Sequence, residues 1–309
     1  MLISANFSNF WITNFQGELA ALGVAFLWAA TSVIYKRLGK QIPPLAMNLS
    51  KGAIASAMLT LTLGLNGQLL PAIDSVPFGL LLSSGAIGIG VGDTAYFSAL
   101  NRLGARKTLL LKTLGPPFAA VVSAIFLHEQ LTSAAWSGIF LTILGVAWVI
   151  SERANNATGI TKQLIPGISF ALLSAFTDAM GGVLSRAAMA QTSIDPMWSA
   201  LVRIVAGMLV LLLWLGLGRQ PVGVSPKELR SGKLLGVIAL CAFLSTYLGF
   251  WLQQISLKFT EAGIAKSLGA TSPLFVLPLA IWMGEVISLR AILGVLVALV
   301  GVGLLFSFR

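Results

Sequence analysis

The stretch GDTAYFSALNRLGARKTLLLKTLGPPFAAVVSAIFLHEQLT (residues 92–132) has a counterpart in YLGFWLQQISLKFTEAGIAKSLGATSPLFVLPLAIWMGEVIS (residues 247–288). A shift of 156 places Pro117 on Pro273, Ala124 on Ala280, Ile125 on Ile281 and Glu129 on Glu285. Further on, the same shift sets Gly138 on Gly294, Gly145 on Gly301 and Val146 on Val302. Upstream, a shift of 152 sets Pro44 on Pro196, Lys51 on Arg203 and Gly64 on Gly216, so only small gaps in loops separate the two offsets. Matching Ala, Ile and Val mean little between apolar helices. Pro and Glu twelve apart in both halves, together with a matched cation, do not arise that way. The chain reads as two copies of one unit.

The composition says what kind of unit this is. Of 309 residues, 57% are hydrophobic and 10% are charged, against about 25% charged in a soluble domain. That excludes a soluble globular protein and a disordered chain. One cysteine, Cys241, excludes a disulfide scaffold. A spanning helix needs about 20 apolar residues. Ten such segments run at approximately 18–38, 43–64, 77–100, 104–127, 132–151, 165–188, 196–217, 233–256, 261–283 and 288–307. They are continuous rather than alternating, which favours helices over a β-barrel. The expected fold is an all-α membrane protein of ten transmembrane helices, five in residues 17–151 and five in 165–307. An odd number of spans per copy requires the second copy to lie inverted, the construction of many secondary transporters.

These residues also carry a family resemblance. The 92–132 stretch and its counterpart resemble the third-to-fifth helix region of an EamA domain: a Pro in the fourth helix, a Glu before the last helix, then a Gly-rich closing span. The resemblance covers about residues 17–307 and implies the drug/metabolite transporter superfamily, with ten helices moving small metabolites or drugs. It departs from the family pattern in places. The usual Leu-Gly-Glu reads Leu127-His128-Glu129 and Met283-Gly284-Glu285, and the cation early in the second helix, commonly Arg, is Lys51.

Charge fixes the expected orientation. Of the 20 Lys and Arg, thirteen lie in loops after odd-numbered segments, three lie on the other side with the termini, and four lie within spans. By the positive-inside rule both termini face outward from a cell inner membrane. Residues 1–16 hold no Lys or Arg, so the first span is expected to be retained rather than cleaved as a leader. The formal charge of +10 forms no basic stripe, so it argues for an anionic leaflet and not for nucleic acid.

Ionisable residues at bilayer depth are costly and mark functional sites. Six qualify: Lys51, Asp93, Lys112, Asp178, Arg203 and Lys266. Lys51 and Arg203, equivalent in the two copies, either tie helix ends in place or contact solute. Asp93, among glycines 88, 90 and 92, and Lys112, before the helix-bending Gly115-Pro116-Pro117, can form a pair that either locks the helices or walls the solute cavity. Lys266, about five residues into its segment, is expected to snorkel to the interface. Asp178 stands opposite Ala29 and breaks the repeat, as a solute-specific or coupling group would. Asp178 or Asp93 is the candidate carrier of a coupling proton. If the six share one cavity, its net charge is +2, which leans toward anionic or zwitterionic solutes such as amino acids, with export the expected direction. Trp28, Tyr96, Tyr247 and Trp251 are candidates for the path or an aromatic belt. Glu129 and Glu285, with Thr132 and Ser288, are expected to cap the closing helices.

No Walker A motif supplies ATP drive. No HExxH is present, and one Cys and one His, His128, cannot build a zinc site. No cofactor, metal or enzymatic activity is expected. The reading is a secondary transporter of small solutes working by alternating access, as monomer or homodimer, with proton coupling or exchange. The alternatives are a lipid-carrier flippase of the same superfamily and a membrane enzyme or sensor without flux.

Overall fold

The structure, a computed structural model, describes residues 15–126, 132–150, 160–189, 192–217, 232–260, 262–282, 284 and 287–306. Every regular element among the described residues is helical. The first half contains α1 (Gln16–Leu38), α2 (Pro44–Leu65), α3 (Ser75–Leu103), α4 (Ala105–Lys112), α5 (Gly115–Phe126) and α6 (Ser133–Ile150). The second contains α7 (Ile160–Met189), α8 (Pro196–Gly216), α9 (Gly232–Phe259), α10 (Ala262–Gly269), α11 (Ser272–Trp282) and α12 (Leu289–Phe306). Five of these, α1, α3, α7 (from Gln163), α8 and α9, are long and apolar enough to cross a membrane. Two shorter apolar helices, Trp136–Val149 and Leu289–Leu304, lie within α6 and α12. Large apolar side chains such as Leu61, Phe140, Leu213 and Trp282 face outward. In water that surface would associate, whereas hydrocarbon solvates it.

Two local features repeat. α3 contains a π-helical turn at Ala86–Asp93, and α9 contains one at Ala242–Leu248. Segments 104–127 and 261–283, expected as single helices, are each broken in two, after Lys112 and after Gly269. The prolines explain the breaks. Pro116 and Pro117 have no N–H to give the carbonyls of Lys112 and Thr113, and Pro273 has none for Gly269. The Gly269 carbonyl instead accepts from the Ser272 hydroxyl at 3.0 Å.

Small residues set the helix crossings. α6 and α12 run antiparallel, with Gly138 beside Gly301 and Gly145 beside Gly294. A Cβ on Gly145 would lie 2.5 Å from the Ala298 nitrogen, and one on Gly301 2.5 Å from the Thr142 nitrogen. Only glycine permits that approach, and backbone packing is what holds helices together in lipid. Basic side chains close two helix ends in the same manner. Lys36 of α1 donates to the Asn101 carbonyl in the last turn of α3, and Arg186 of α7 donates to the Leu257 carbonyl in the last turn of α9. A cation there answers both the unpaired carbonyls and the helix dipole. Where α1 and α3 end, Tyr35, Leu38, Ile42, Met47, Phe97 and Cys241 form a buried apolar cluster. The cavity described next begins against it.

Candidate functional site

The Gly-rich face of α3 decides what the cavity contains. A Cβ on Gly85 would lie 2.1 Å from the Arg203 carbonyl oxygen, and one on Gly92 2.6 Å from Thr177 Oγ1. α3 is therefore clasped between α7 and α8, which bring Asp178 and Arg203 toward Asp93. The π turn alters the backbone pairing at this point, and the Ile89 carbonyl within it accepts from Asn48 Nδ2 at 3.0 Å. α1 contributes Val24, Trp28, Thr31 and Tyr35, about one turn apart. The broken helices contribute Lys112, Pro116, Lys266 and Ser272. The centre of a water-sized sphere can range over about 90 Å³ in the resulting cavity. One water needs roughly 10–15 Å³ by that measure, so several waters or a small solute fit.

All six ionisable candidates line this cavity, as do Trp28 and Tyr96. Their pairing differs from the expectation. Asp93 is bonded to Lys51, not to Lys112. The Lys51 ammonium also lies 5.2 Å from the Phe97 ring centre and 5.4 Å from that of Phe250. Lys51 comes from α2, which Asn48 holds against α3 through its bonds to the Ile89 carbonyl and Thr94 Oγ1. Lys266 does not snorkel outward. It points inward and meets Asp178 at 3.1 Å, bonding both the carboxylate and the Asp178 carbonyl oxygen. Gly182, one turn beyond Asp178, leaves the space for it, since a Cβ there would lie 2.4 Å from Lys266 Cε.

Among the described residues, two of the cavity's cations have no carboxylate partner. Arg203 is 2% exposed, and its Nη1 donates to Gln253 Oε1 at 3.1 Å and to Gln254 Oε1 at 2.6 Å. Gln254 is in turn oriented by the hydroxyls of Ser185 and Ser199. Arg203 Nε has no hydrogen-bond partner among the described residues. Lys112 enters no ion pair among the described residues. Its ammonium faces the rings of Trp28 at 5.5 Å and Tyr96 at 5.2 Å. Trp28 Nε1 donates to the Ser245 carbonyl at 3.0 Å in the second π turn, which fixes the indole. The Tyr35 hydroxyl pairs with Ser245 Oγ at 2.8 Å, and its ring stands edge-on to Phe97 at 5.0 Å.

Tyr247 and Trp251 lie elsewhere. Tyr247 stacks on Phe243 at 5.4 Å and pairs its hydroxyl with Thr62 at 3.0 Å, and Trp251 packs beside it. Positions 243, 247 and 251 form one stripe of α9, while Ser245, Phe250, Gln253 and Leu257 line the cavity. Glu129 and Glu285 lie outside the described residues. Of their expected capping partners, the Ser288 hydroxyl accepts from the Ala291 N–H at 3.1 Å. The neutral lining residues Thr31, Tyr35, Ser245 and Gln253 were not picked out by a search for charge. The signal available for them was a run of amides and hydroxyls in an otherwise apolar segment.

The EamA-like transporter family description matches residues 15–151 and again 165–307. The chain belongs to that family. A probable terminal-alkyne amino-acid exporter from Streptantibioticus cattleyicolor is 24% identical over 84% of this chain and 82% of its own length. The uncharacterized transporter YdfC of Bacillus subtilis is 28% identical over 81% of this chain and 77% of its own. YvbV of the same organism, also an uncharacterized transporter, is 30% identical over 47% of this chain and spans 48% of that protein. A solved structure, described only as the crystal structure of a protein, aligns with a TM-score of 0.66 at 17% identity. It covers 94% of this chain and 96% of its own, and shows the fold alone. Family and apolar helices together make this a multi-pass membrane protein of transporter type.

Proposed function

We propose that the protein is a secondary carrier that moves a small zwitterionic or anionic solute, such as an amino acid, through the cavity between its two halves. One observation carries this reading: residues of both halves converge on a hollow with four cations and two carboxylates, leaving Lys112 and Arg203 without acidic partners among the described residues. The solute's carboxylate meets Lys112 and the field of Arg203. Its ammonium, where it has one, meets Asp178 or Asp93 in exchange for a lysine. The amino-acid exporter among the relatives supports the substrate class.

Ten spans in two inverted repeats are the architecture that goes with this reading. The antiparallel crossing of α6 and α12 supports it, since Gly138 meets Gly301 as Gly145 meets Gly294. That reciprocity is the contact pattern of elements related by a two-fold axis. Alternating access then follows from rocking of one repeat against the other, with the solute site near the midplane. The membrane is the inner membrane and the termini lie outside, on the charge count. Asp93 or Asp178 carries the coupling proton where transport is proton-driven. Its lysine partner must then move away, because an ion-paired carboxylate holds no proton.

Counterflow of a labelled metabolite panel in reconstituted vesicles tests the reading. Native protein is expected to exchange at least one amino acid or related anion saturably. Lys112→Ala is expected to reduce that exchange by about tenfold or more, the equivalent of one lost charge-assisted contact. Chemical conversion without movement would replace the carrier with an enzyme, and movement of long-chain lipids alone would replace it with a flippase.

A further inference from the structure

The cavity's charges do not balance. Asp93 answers Lys51 and Asp178 answers Lys266. Lys112 is in no ion pair among the described residues, and Arg203 is held by the neutral amides of Gln253 and Gln254. Arg203 is 2% exposed with Nε unpartnered. Withdrawing charge from water is unfavourable unless an opposite charge accompanies it. Ring faces and amide oxygens supply part of that compensation but no net negative charge. Two net positive charges in a hollow with room for several water-sized bodies therefore call for a mobile anion.

We propose that between transport events the cavity binds a monovalent anion the size of chloride, with Lys112 as its contact and Arg203 as the reinforcing charge. The same position takes the solute's carboxylate, so chloride and solute compete. This rests on the reading of the cavity as the solute site. The ligand chemistry is a compact anion with one concentrated negative charge. Lys112 suits it because the rings of Trp28 and Tyr96 position the ammonium without neutralising it. Lys51 and Lys266 do not, because each already has its carboxylate.

The test uses the purified full chain in detergent, titrated calorimetrically with sodium chloride and with sodium acetate. Ionic strength is held by the HEPES anion, which is much larger than chloride. Chloride and acetate are expected to bind saturably at one site and to displace one another. Lys112→Gln is expected to weaken both by about tenfold or more, and Lys112→Arg to retain them. Absence of saturable chloride binding, or unchanged affinity in Lys112→Gln, would overturn the proposal. Should Lys112→Gln fail to fold, the native protein alone decides: its thermal midpoint is expected to rise when HEPES is replaced by chloride, and an unmoved midpoint overturns the site. Counterflow in vesicles separates the two readings. If solute moves while chloride neither binds nor competes, the anion site fails and the carrier stands. If chloride binds through Lys112 while no solute moves, the site stands and the carrier fails.

Discussion

Gly182 shows how closely the cavity's charge arrangement depends on a single missing methyl. A Cβ there would lie 2.4 Å from Lys266 Cε and 2.8 Å from Nζ. The obstructed atoms are the flexible end of a lysine, so the fold is expected to survive Gly182→Ala with a stability change within about 1 kcal/mol. Transport is expected to fall, because Lys266 is displaced from Asp178. A denaturation curve with an uptake assay distinguishes this from a general packing defect, which would lower both. Asp178→Asn acts differently. The Lys266 and Asp178 side chains are 10% and 21% exposed, so removing the carboxylate leaves an ammonium without its partner in a mostly buried place. A loss of about 3 kcal/mol is expected. Adding Lys266→Met is expected to recover much of it, and a double variant no more stable than Asp178→Asn would mean that the pair is not what the carboxylate serves. The candidates themselves were legible because an ionisable residue in an apolar segment is too costly to be incidental. Their partners were not. Lys51 reaches Asp93 because α2 packs along α3, with Asn48 bonded to the Ile89 carbonyl and to Thr94, and no spacing along the chain encodes that packing. Depth counted from a segment end also misled for Lys266, which turns inward where Gly182 opens a place for it.

At the scale of elements, the close crossing of α6 and α12 is the most sensitive contact. A Cβ on Gly301 meets backbone, the Thr142 nitrogen at 2.5 Å and the Gly138 oxygen at 2.8 Å, which cannot step aside as a lysine tip does. Gly301→Leu is expected to force the helices apart and destabilise the protein by about 2 kcal/mol or more. Gly236→Leu, where a Cβ meets nothing within 4 Å among the described residues, is expected to leave the thermal midpoint nearly unchanged. Equal effects at the two sites would remove the crossing's claimed role. The closing helices were readable as apolar runs with glycines seven apart, and that spacing proved to be the crossing itself. The breaks after Lys112 and Gly269 are legible in Pro116, Pro117 and Pro273, which withhold the N–H groups that would continue each helix. The π turns had no signal, since they arise from how neighbours compete for backbone groups, as Asn48 does for the Ile89 carbonyl. Tyr247 and Trp251 lie on a different stripe of α9 from Ser245, Phe250 and Gln253, which line the cavity, because place in a segment gives depth but not direction.

For the whole molecule, the helical membrane class followed from composition, and the family from the paired stretches 92–132 and 247–288. Orientation belongs to this scale. A C-terminal reporter active only in the cytoplasm is expected to stay silent, and activity would reverse the topology. The central claim is that a charged hollow between the two halves carries a small solute. Its most direct measurement is counterflow of a labelled amino-acid panel into vesicles containing native protein or Lys112→Ala. Saturable exchange of at least one amino acid by native protein, reduced about tenfold or more in the variant, is the expected result. Equal exchange by both proteins, or none by either while both remain folded, would contradict it.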